Sequence, residues 1–206
     1  MSNSHMSSMK SSMKDAELRS PHAQGRFQWR DSGLGFSPVT IALHWLVAVL
    51  VLAIIALEIV LWFSPGTALA SVLNLLGTIL FPVSLYRFWA RVTSWHPLPV
   101  GTPNPVEVIV SRSVATSLAL AMVLLPIAAW LAKSAAGQLV ELPGGWIIPS
   151  PMRPDAQAAH VFEGLFRIGA TPFLLGLALH IFGACKNHFV LKNDALKRML
   201  GKRVEL

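Results

Sequence analysis

The stretch Ser37-Pro38-Val39-Thr40-Ile41-Ala42-Leu43-His44-Trp45 opens a long apolar run in which the next charged residue is Glu58. Serine is a preferred helix N-cap, and proline is favoured at the first helical position. The stretch therefore predicts a helix that starts at Pro38 and runs to about Phe63. A membrane span needs about 20 apolar residues. His44 would lie about two turns in, where an ionisable side chain is costly and usually functional.

The rest of the chain repeats this apolar character. Of its 206 residues, 53% are hydrophobic and 13% are charged, whereas soluble domains carry about 25% charged residues. The deficit is concentrated in four apolar runs. We therefore expect an all-α, integral membrane four-helix bundle over residues 37–191, without a soluble second domain. The predicted spans are 38–63, 69–91, 106–131 and 160–189.

The segments outside these spans set the expected orientation. Residues 1–36 are polar and rich in Ser, Met and Lys, which predicts a disordered tail, although a tail of this length also suits docking to a partner. Residues 192–206 form a basic tail. Lysine and arginine are frequent at both ends and absent from the first loop, so the positive-inside rule places both termini in the cytoplasm. The longer third connection, with Trp146, is expected to lie on the membrane surface.

Charge and cysteine content exclude several classes of protein. The net charge is +7, but the basic residues flank the apolar runs, which fits anionic lipid headgroups better than nucleic acid. The single cysteine, Cys185, excludes an internal disulfide and a cysteine metal cluster. The sequence contains no paired carboxylates, nucleophile–base set or phosphate loop, so hydrolase chemistry has no support.

A second histidine, His180, lies two turns before the end of the last apolar run. His44 would be about 8–9 Å from the start of its helix at about 1.5 Å per residue, and His180 a similar distance from the cytoplasmic end of span four. Two histidines at matched depth on different helices are what axial ligation of a haem requires. Each alone could also be a hydrogen-bonded core residue or part of a proton path. We predict that His44 and His180 are the metal ligands of one b-type haem.

Small residues surround both histidines at helical spacing. They would let a flat macrocycle approach the backbone, but they suit helix packing equally well. Around His44 and His180 these residues are Thr40, Ala48, Gly176, Gly183 and Ala184.

Three arginines and one further histidine are expected at the same membrane level. Arg87 and Arg91 end span two, and Arg112 opens span three. Arginine binds carboxylates in bidentate fashion, so these side chains are candidates for the haem propionates. They could equally be positive-inside anchors. His188, just beyond span four, is assigned to the headgroup level or to a place beside a propionate.

Taken together, these motifs resemble the bacterial cytochrome b561 family, the di-haem four-helix membrane cytochromes that include superoxide oxidase. The resemblance covers residues 36–200. It implies electron transfer in the bacterial inner membrane, with quinone as the usual partner. The matching motifs are His44-Trp45-Leu46 with Glu58 later in the same span, Arg87 and Arg91 running into Trp95-His96-Pro97, Leu125-Pro126, and His180 followed by His188 to Leu200.

The sequence also departs from the family, which normally carries a second haem near the outer face. The two positions expected to supply histidines for that haem are Leu73 and Phe166, so only the inner ligands are kept. Glu58 should lie about 21 Å outward of His44, and Arg167 about 19–20 Å outward of His180. We expect these two charges either to pair near the outer position or to extend separately to the outer interface.

Two functions remain. The first is a mono-haem electron-transfer cytochrome that exchanges electrons with quinone or with a partner redox protein. Loss of the outer haem puts superoxide oxidation at the outer face in doubt. The second is an accessory or structural subunit of a larger respiratory or photosynthetic membrane complex, with a vestigial haem site. A transporter ranks third, because few polar groups line a path through the spans.

Overall fold

The computed structural model describes residues 36–93, 104–192 and 195–201. Four long helices dominate these residues, and each is long and apolar enough to cross a membrane. The prediction of an all-α membrane four-helix bundle is therefore confirmed. The helices are α1 (Pro38–Phe63), α2 (Thr67–Thr93), α3 (Pro105–Ala135) and α4 (Ala156–Cys185), which continues as a π-helix (Lys186–Val190), and a short helix α5 (Ala195–Met199) follows.

The helix ends follow from local side-chain chemistry. Ser37 caps α1 as predicted, because its Oγ accepts the Thr40 N–H at 3.1 Å and Pro38 occupies the first turn. The α3–α4 connection is shorter than the sequence predicts. Helix α3 runs on to Ala135 and is followed by Gly137 with φ of 72°, in the left-handed region that favours glycine. Asp155 starts α4 by accepting the Ala158 N–H at 2.9 Å.

Contacts between helix ends establish an up-and-down arrangement. At one end of the bundle the last turn of α2 meets the start of α1, and the π-helix after α4 meets the start of α3 through Lys186 and Glu107. At the other end the last turns of α3 meet the first turns of α2 through Lys133 and Asn74. The start of α1 and the end of α4 thus lie at the same end of the bundle.

One cluster of buried apolar side chains lies between α1 and α2. It contains Val47, Leu50 and Val51 of α1 and Leu80 of α2, with side chains from α3 and α4 packed around them. Large apolar side chains such as Ile168, 72% exposed, cover the outer surface. In a membrane these faces contact lipid, so association of the helices depends on close packing and polar contacts.

The connection from α3 to α4 contains a small β-hairpin. Strands β1 (Val140–Glu141) and β2 (Ile147–Ile148) pair antiparallel, with Val140 opposite Ile148. The turn between them needs glycine, because Gly144 and Gly145 have φ of 87° and 79°. The hairpin is compact and was not predicted from the sequence.

Several expectations fall on other parts of the chain. Three of them concern residues outside the described ranges. These are the expected disorder of residues 1–35, the Trp95-His96-Pro97 motif, and the end of the basic tail at 202–206.

Candidate metal centre

The structure brings the rings of His44 and His180 close together from two different helices. His44 lies in the second turn of α1, and His180 lies near the end of α4. Their ring centroids are 6.3 Å apart, and the ring planes are inclined at 64°. Both side chains are half-buried. The pair that the sequence predicted by depth alone is therefore close in space.

This separation fits two imidazoles that share one metal ion. A metal–imidazole bond is about 2 Å long, and a ring nitrogen lies roughly 1.1 Å from the ring centre when its C–N bonds are about 1.33 Å. A metal ion held head-on between two rings therefore places their centroids about 6.2 Å apart. The observed distance agrees with this value, whereas imidazoles stacked directly on each other would lie closer.

The helices that carry the two histidines are not in close backbone contact. Helix α1 packs closely on α2, and α3 packs closely on α4, whereas the backbones of α1 and α4 approach each other at few points. Side chains of α4, Phe173 and Leu177, bridge this spacing by packing against the core cluster of α1 and α2. A flat cofactor needs such a spacing, because it must lie between two helix backbones.

The small residues near His180 have different surroundings. A methyl group on Gly176 would lie 3.4 Å from Leu118, so this glycine serves close packing of α4 on α3. A methyl group on Gly183 would meet nothing within 4 Å. Of the two interpretations given to these glycines, helix packing therefore applies to Gly176, whereas Gly183 serves no close packing contact.

Arg87 reaches the histidine pair directly from the last turns of α2. Its Nη2 lies 2.7 Å from His44 Nδ1. Arginine has only hydrogen-bond donors, so Nδ1 is the acceptor in this contact. In this contact a neutral His44 carries its proton on Nε2, so binding of a metal ion through Nε2 would require the proton to move to Nδ1 and Arg87 to release that nitrogen.

The other predicted cofactor-binding residues lie farther from the pair. Arg91, one turn beyond Arg87, donates from Nε to Thr116 Oγ1 of α3 at 3.4 Å. Arg112 is exposed on α3. His188 lies in the π-helix, where its ring contacts Phe189 edge-on. Within the described ranges, no hydrogen bond or ring contact joins Arg112 or His188 to the histidine pair.

At the end of the bundle opposite the histidines, the sequence left two alternatives for Glu58 and Arg167. The first of them, a pair between the two charges, does not form. Instead, Arg167 Nη2 donates to Glu163 Oε1 at 2.6 Å, one turn earlier on the same helix. Counting residues gives the depth of a charge along its helix. It does not give the face of the helix on which that charge lies. A partner four residues away on the same face was available locally.

A polar cluster in this outer half was missed by sequence reasoning. Lys133, which the sequence placed in a loop, lies in the last turn of α3, and its Nζ donates to Asn74 Oδ1 at 2.6 Å. Asn74 Nδ2 in turn donates to the Glu141 carbonyl oxygen at 2.9 Å. We call these three residues the outer polar cluster. The available signal was an asparagine inside a span, directly after Leu73.

A second missed contact lies at the histidine end. The indole N–H of Trp45 donates to the Met199 carbonyl oxygen at 2.9 Å and so joins α1 to α5. No sequence signal links residues so distant in the chain.

Elsewhere in the described residues, no group of three histidine, cysteine or acidic side chains could hold a metal ion, so the two histidines are the candidate centre.

Comparison with known proteins agrees with this arrangement. The family described as prokaryotic cytochrome b561 matches residues 35–202. The chain is also 28% identical over 176 residues to "Cytochrome b561 homolog 2" of Escherichia coli (strain K12), a match that covers 81% of this chain and 92% of the relative.

Proposed function

Because the chain belongs to the prokaryotic cytochrome b561 family, we propose that it is a membrane electron-transfer protein that binds one b-type haem between His44 and His180. The observation that carries the proposal is the opposition of the two rings at a centroid distance of 6.3 Å. Members of this family bind b-type haem. When bound, haem supplies one-electron Fe(III)/Fe(II) chemistry.

In this proposal the two histidines hold the iron, and their helices fix the ligand geometry. We propose that His44 binds the iron through Nε2, which requires the contact between Arg87 and Nδ1 to break. A neutral imidazole that binds a metal through Nε2 carries its proton on Nδ1, and this N–H cannot accept a hydrogen bond from arginine. Arg87 must then turn to another acceptor. A propionate of the haem is a carboxylate that suits a guanidinium.

Arg91 and Arg112 are proposed to serve the same carboxylates from slightly farther away. Both lie at the histidine end of the bundle, on α2 and α3 respectively. Arg91 donates to Thr116 of α3, which directs its guanidinium toward α3. His188 is proposed to lie at the headgroup level or beside a propionate, since the π-helix carries it past the end of α4.

The residues at the outer position do not suit a second haem. Leu73 and Phe166 stand where histidines would be required, and neither side chain has an atom that binds iron. We therefore propose one haem per chain. Electron transfer would then take place near the end of the bundle that carries His44 and His180, and a relay across the whole membrane is not expected.

We propose quinone or a partner redox protein as the exchange partner, in the bacterial inner membrane, with both termini in the cytoplasm. Both histidines lie within helices long and apolar enough to span a membrane, which supports a lipid-soluble partner. The protein could play this role as a member of a larger respiratory or photosynthetic complex. The alternative function is an accessory or structural subunit of such a complex, in which the haem site is vestigial and transfers no electrons.

The test is reduction of the purified protein by a quinol, followed as the low-spin α-band in the visible spectrum. His44→Ala and His180→Ala should each abolish the band. His160→Ala is the matched control, because His160 lies exposed at the opposite end of α4. A band that survives both ligand variants would refute the assignment. Haem that no quinol or redox protein reduces would favour the accessory subunit.

A further inference from the structure

The side of α1 next to His44 is attached to the C-terminal helix. Trp45 directly follows His44, and the two rings meet edge to face with centroids 5.6 Å apart and planes at 73°. The same indole donates its N–H to the Met199 carbonyl oxygen at 2.9 Å. Trp45 therefore contacts the candidate ligand on one side and α5 on the other.

The acceptor is well suited to this contact. Met199 is the last residue of α5, and the last carbonyl groups of a helix have no partner within the helix. Gly201, two residues later, has a φ of 77°, in the left-handed region that favours glycine. The Trp45 N–H thus satisfies a carbonyl oxygen that the short helix leaves open.

The contact also links the two ligand-bearing helices. Helix α5 follows α4, which carries His180, whereas Trp45 lies on α1 beside His44. The backbones of α1 and α4 approach each other at few points. A hydrogen bond that joins α1 to the segment after α4 therefore adds a restraint on the spacing of the two helices, beside the packing of α4 side chains against the core cluster.

We propose that Trp45 is a positioning residue, and that its hydrogen bond to Met199 fixes the orientation of the His44 ring relative to His180. The Trp45–Met199 contact is called the C-terminal clasp. The proposal rests on the proposed function, because the role it assigns is exerted on a haem ligand. It gives the C-terminal helix a part in cofactor binding although that helix contributes no ligand.

The test compares Trp45→Phe with wild type. Phenylalanine keeps an aromatic ring against His44 but has no N–H. Trp62→Phe is the matched control, since Trp62 lies on the same helix and is 84% exposed. A third protein ends at residue 194 and so lacks α5. Three properties are measured: transfer of haem to an excess of an apo-globin, the low-spin EPR signal of the ferric protein, and trypsin cleavage at Lys197 and Arg198.

The EPR signal is the readout that a purely structural role would not change, because its anisotropy depends on the angle between the two imidazole planes. We expect Trp45→Phe to change this anisotropy and to release haem roughly three- to tenfold faster, the range for loss of one hydrogen bond. Truncation should have the same effects, and Trp45→Phe should add nothing to it. Trp62→Phe should match wild type.

An unchanged EPR signal and haem-release rate in Trp45→Phe would overturn the proposal, as would additive effects with truncation. Failure of the proposed function is distinguishable. In that case wild-type protein would bind no haem, and the positioning role would fall with it. Faster trypsin cleavage in Trp45→Phe alone would then establish the clasp as a structural contact only.

Discussion

Asn74→Leu tests how the outer half of the bundle is held together. The side chain of Asn74 donates to the Glu141 carbonyl oxygen at 2.9 Å and accepts from Lys133 Nζ at 2.6 Å. Leucine has a similar size and makes neither bond. The substitution also leaves the half-buried ammonium of Lys133 without this partner, which adds a desolvation cost.

The magnitude can be worked from these two bonds. Side-chain hydrogen bonds between membrane helices contribute about 0.6 kcal/mol on average and up to about 1.7 kcal/mol, whereas bonds to charged groups in proteins contribute roughly 1.5–3 kcal/mol. For one neutral bond of about 0.6 kcal/mol and one charged bond of roughly 1.5–3 kcal/mol we expect a loss of about 2–3.5 kcal/mol in the free energy of unfolding. At about 2–4 °C per kcal/mol for a chain of this size, Tm should fall by roughly 4–14 °C.

The assay is thermal unfolding in detergent, followed by circular dichroism. Thr78→Val is the matched control, because its hydroxyl donates to a carbonyl oxygen of its own helix at 2.7 Å, and its loss should cost under about 0.5 kcal/mol. Lys133→Met should restore part of the stability lost in Asn74→Leu. If Asn74→Leu unfolds at the wild-type temperature, the outer polar cluster does not stabilise the bundle.

Three further predictions concern other contacts. Glu107→Gln breaks the partly exposed ion pair with Lys186 and should cost about 0.5 kcal/mol or less, with the difference vanishing in high salt; a larger, salt-independent loss in thermal unfolding would contradict this estimate. Gly169→Ala should give a lower Tm than Gly183→Ala. Both substitutions gain helix propensity, but the methyl group added at Gly169 would lie 3.0 Å from a leucine methyl group of α3, whereas the one added at Gly183 meets nothing within 4 Å; equal unfolding temperatures would refute the packing argument. Arg87→Gln should speed haem transfer to an apo-globin roughly tenfold or more, as expected for loss of a charge-assisted hydrogen bond, and Arg87→Lys should recover part of the retention; unchanged haem release would remove Arg87 from the proposed site.

The parts of the fold that follow from local rules could be predicted from sequence. Ser37 and Pro38 determine the start of α1 through backbone capping, which depends on neighbouring residues only. Four apolar runs of sufficient length predict four spans, because bilayer thickness sets the requirement. The resemblance to the cytochrome b561 family rested on such local motifs and is confirmed by the family match over residues 35–202.

Depth along a helix could be predicted, but the direction of a side chain could not. Counting residues placed His44 and His180 at one level, and the up-and-down topology brought them together. The same counting placed Glu58 level with Arg167, yet Arg167 pairs with Glu163 on its own helix. Rotation of a helix about its axis is set by packing against its neighbours, which residue counting does not include.

Contacts between distant segments could not be predicted from sequence either, because they also depend on how the helices pack. The bond from Trp45 to Met199 joins residues 154 positions apart, and the outer polar cluster joins α2, α3 and the hairpin. Neither contact has a sequence motif. Lys133 lies beyond the predicted end of the third span at residue 131, yet the helix continues to Ala135 and its long side chain reaches a polar partner.

The central claim is that one haem is bound per chain by two histidines. The most direct measurement is the number of haem groups per chain in freshly purified protein, from the pyridine haemochrome spectrum and the protein concentration. The account predicts one. Two would contradict the assignment of Leu73 and Phe166 as positions without a ligand, and none would refute the electron-transfer function.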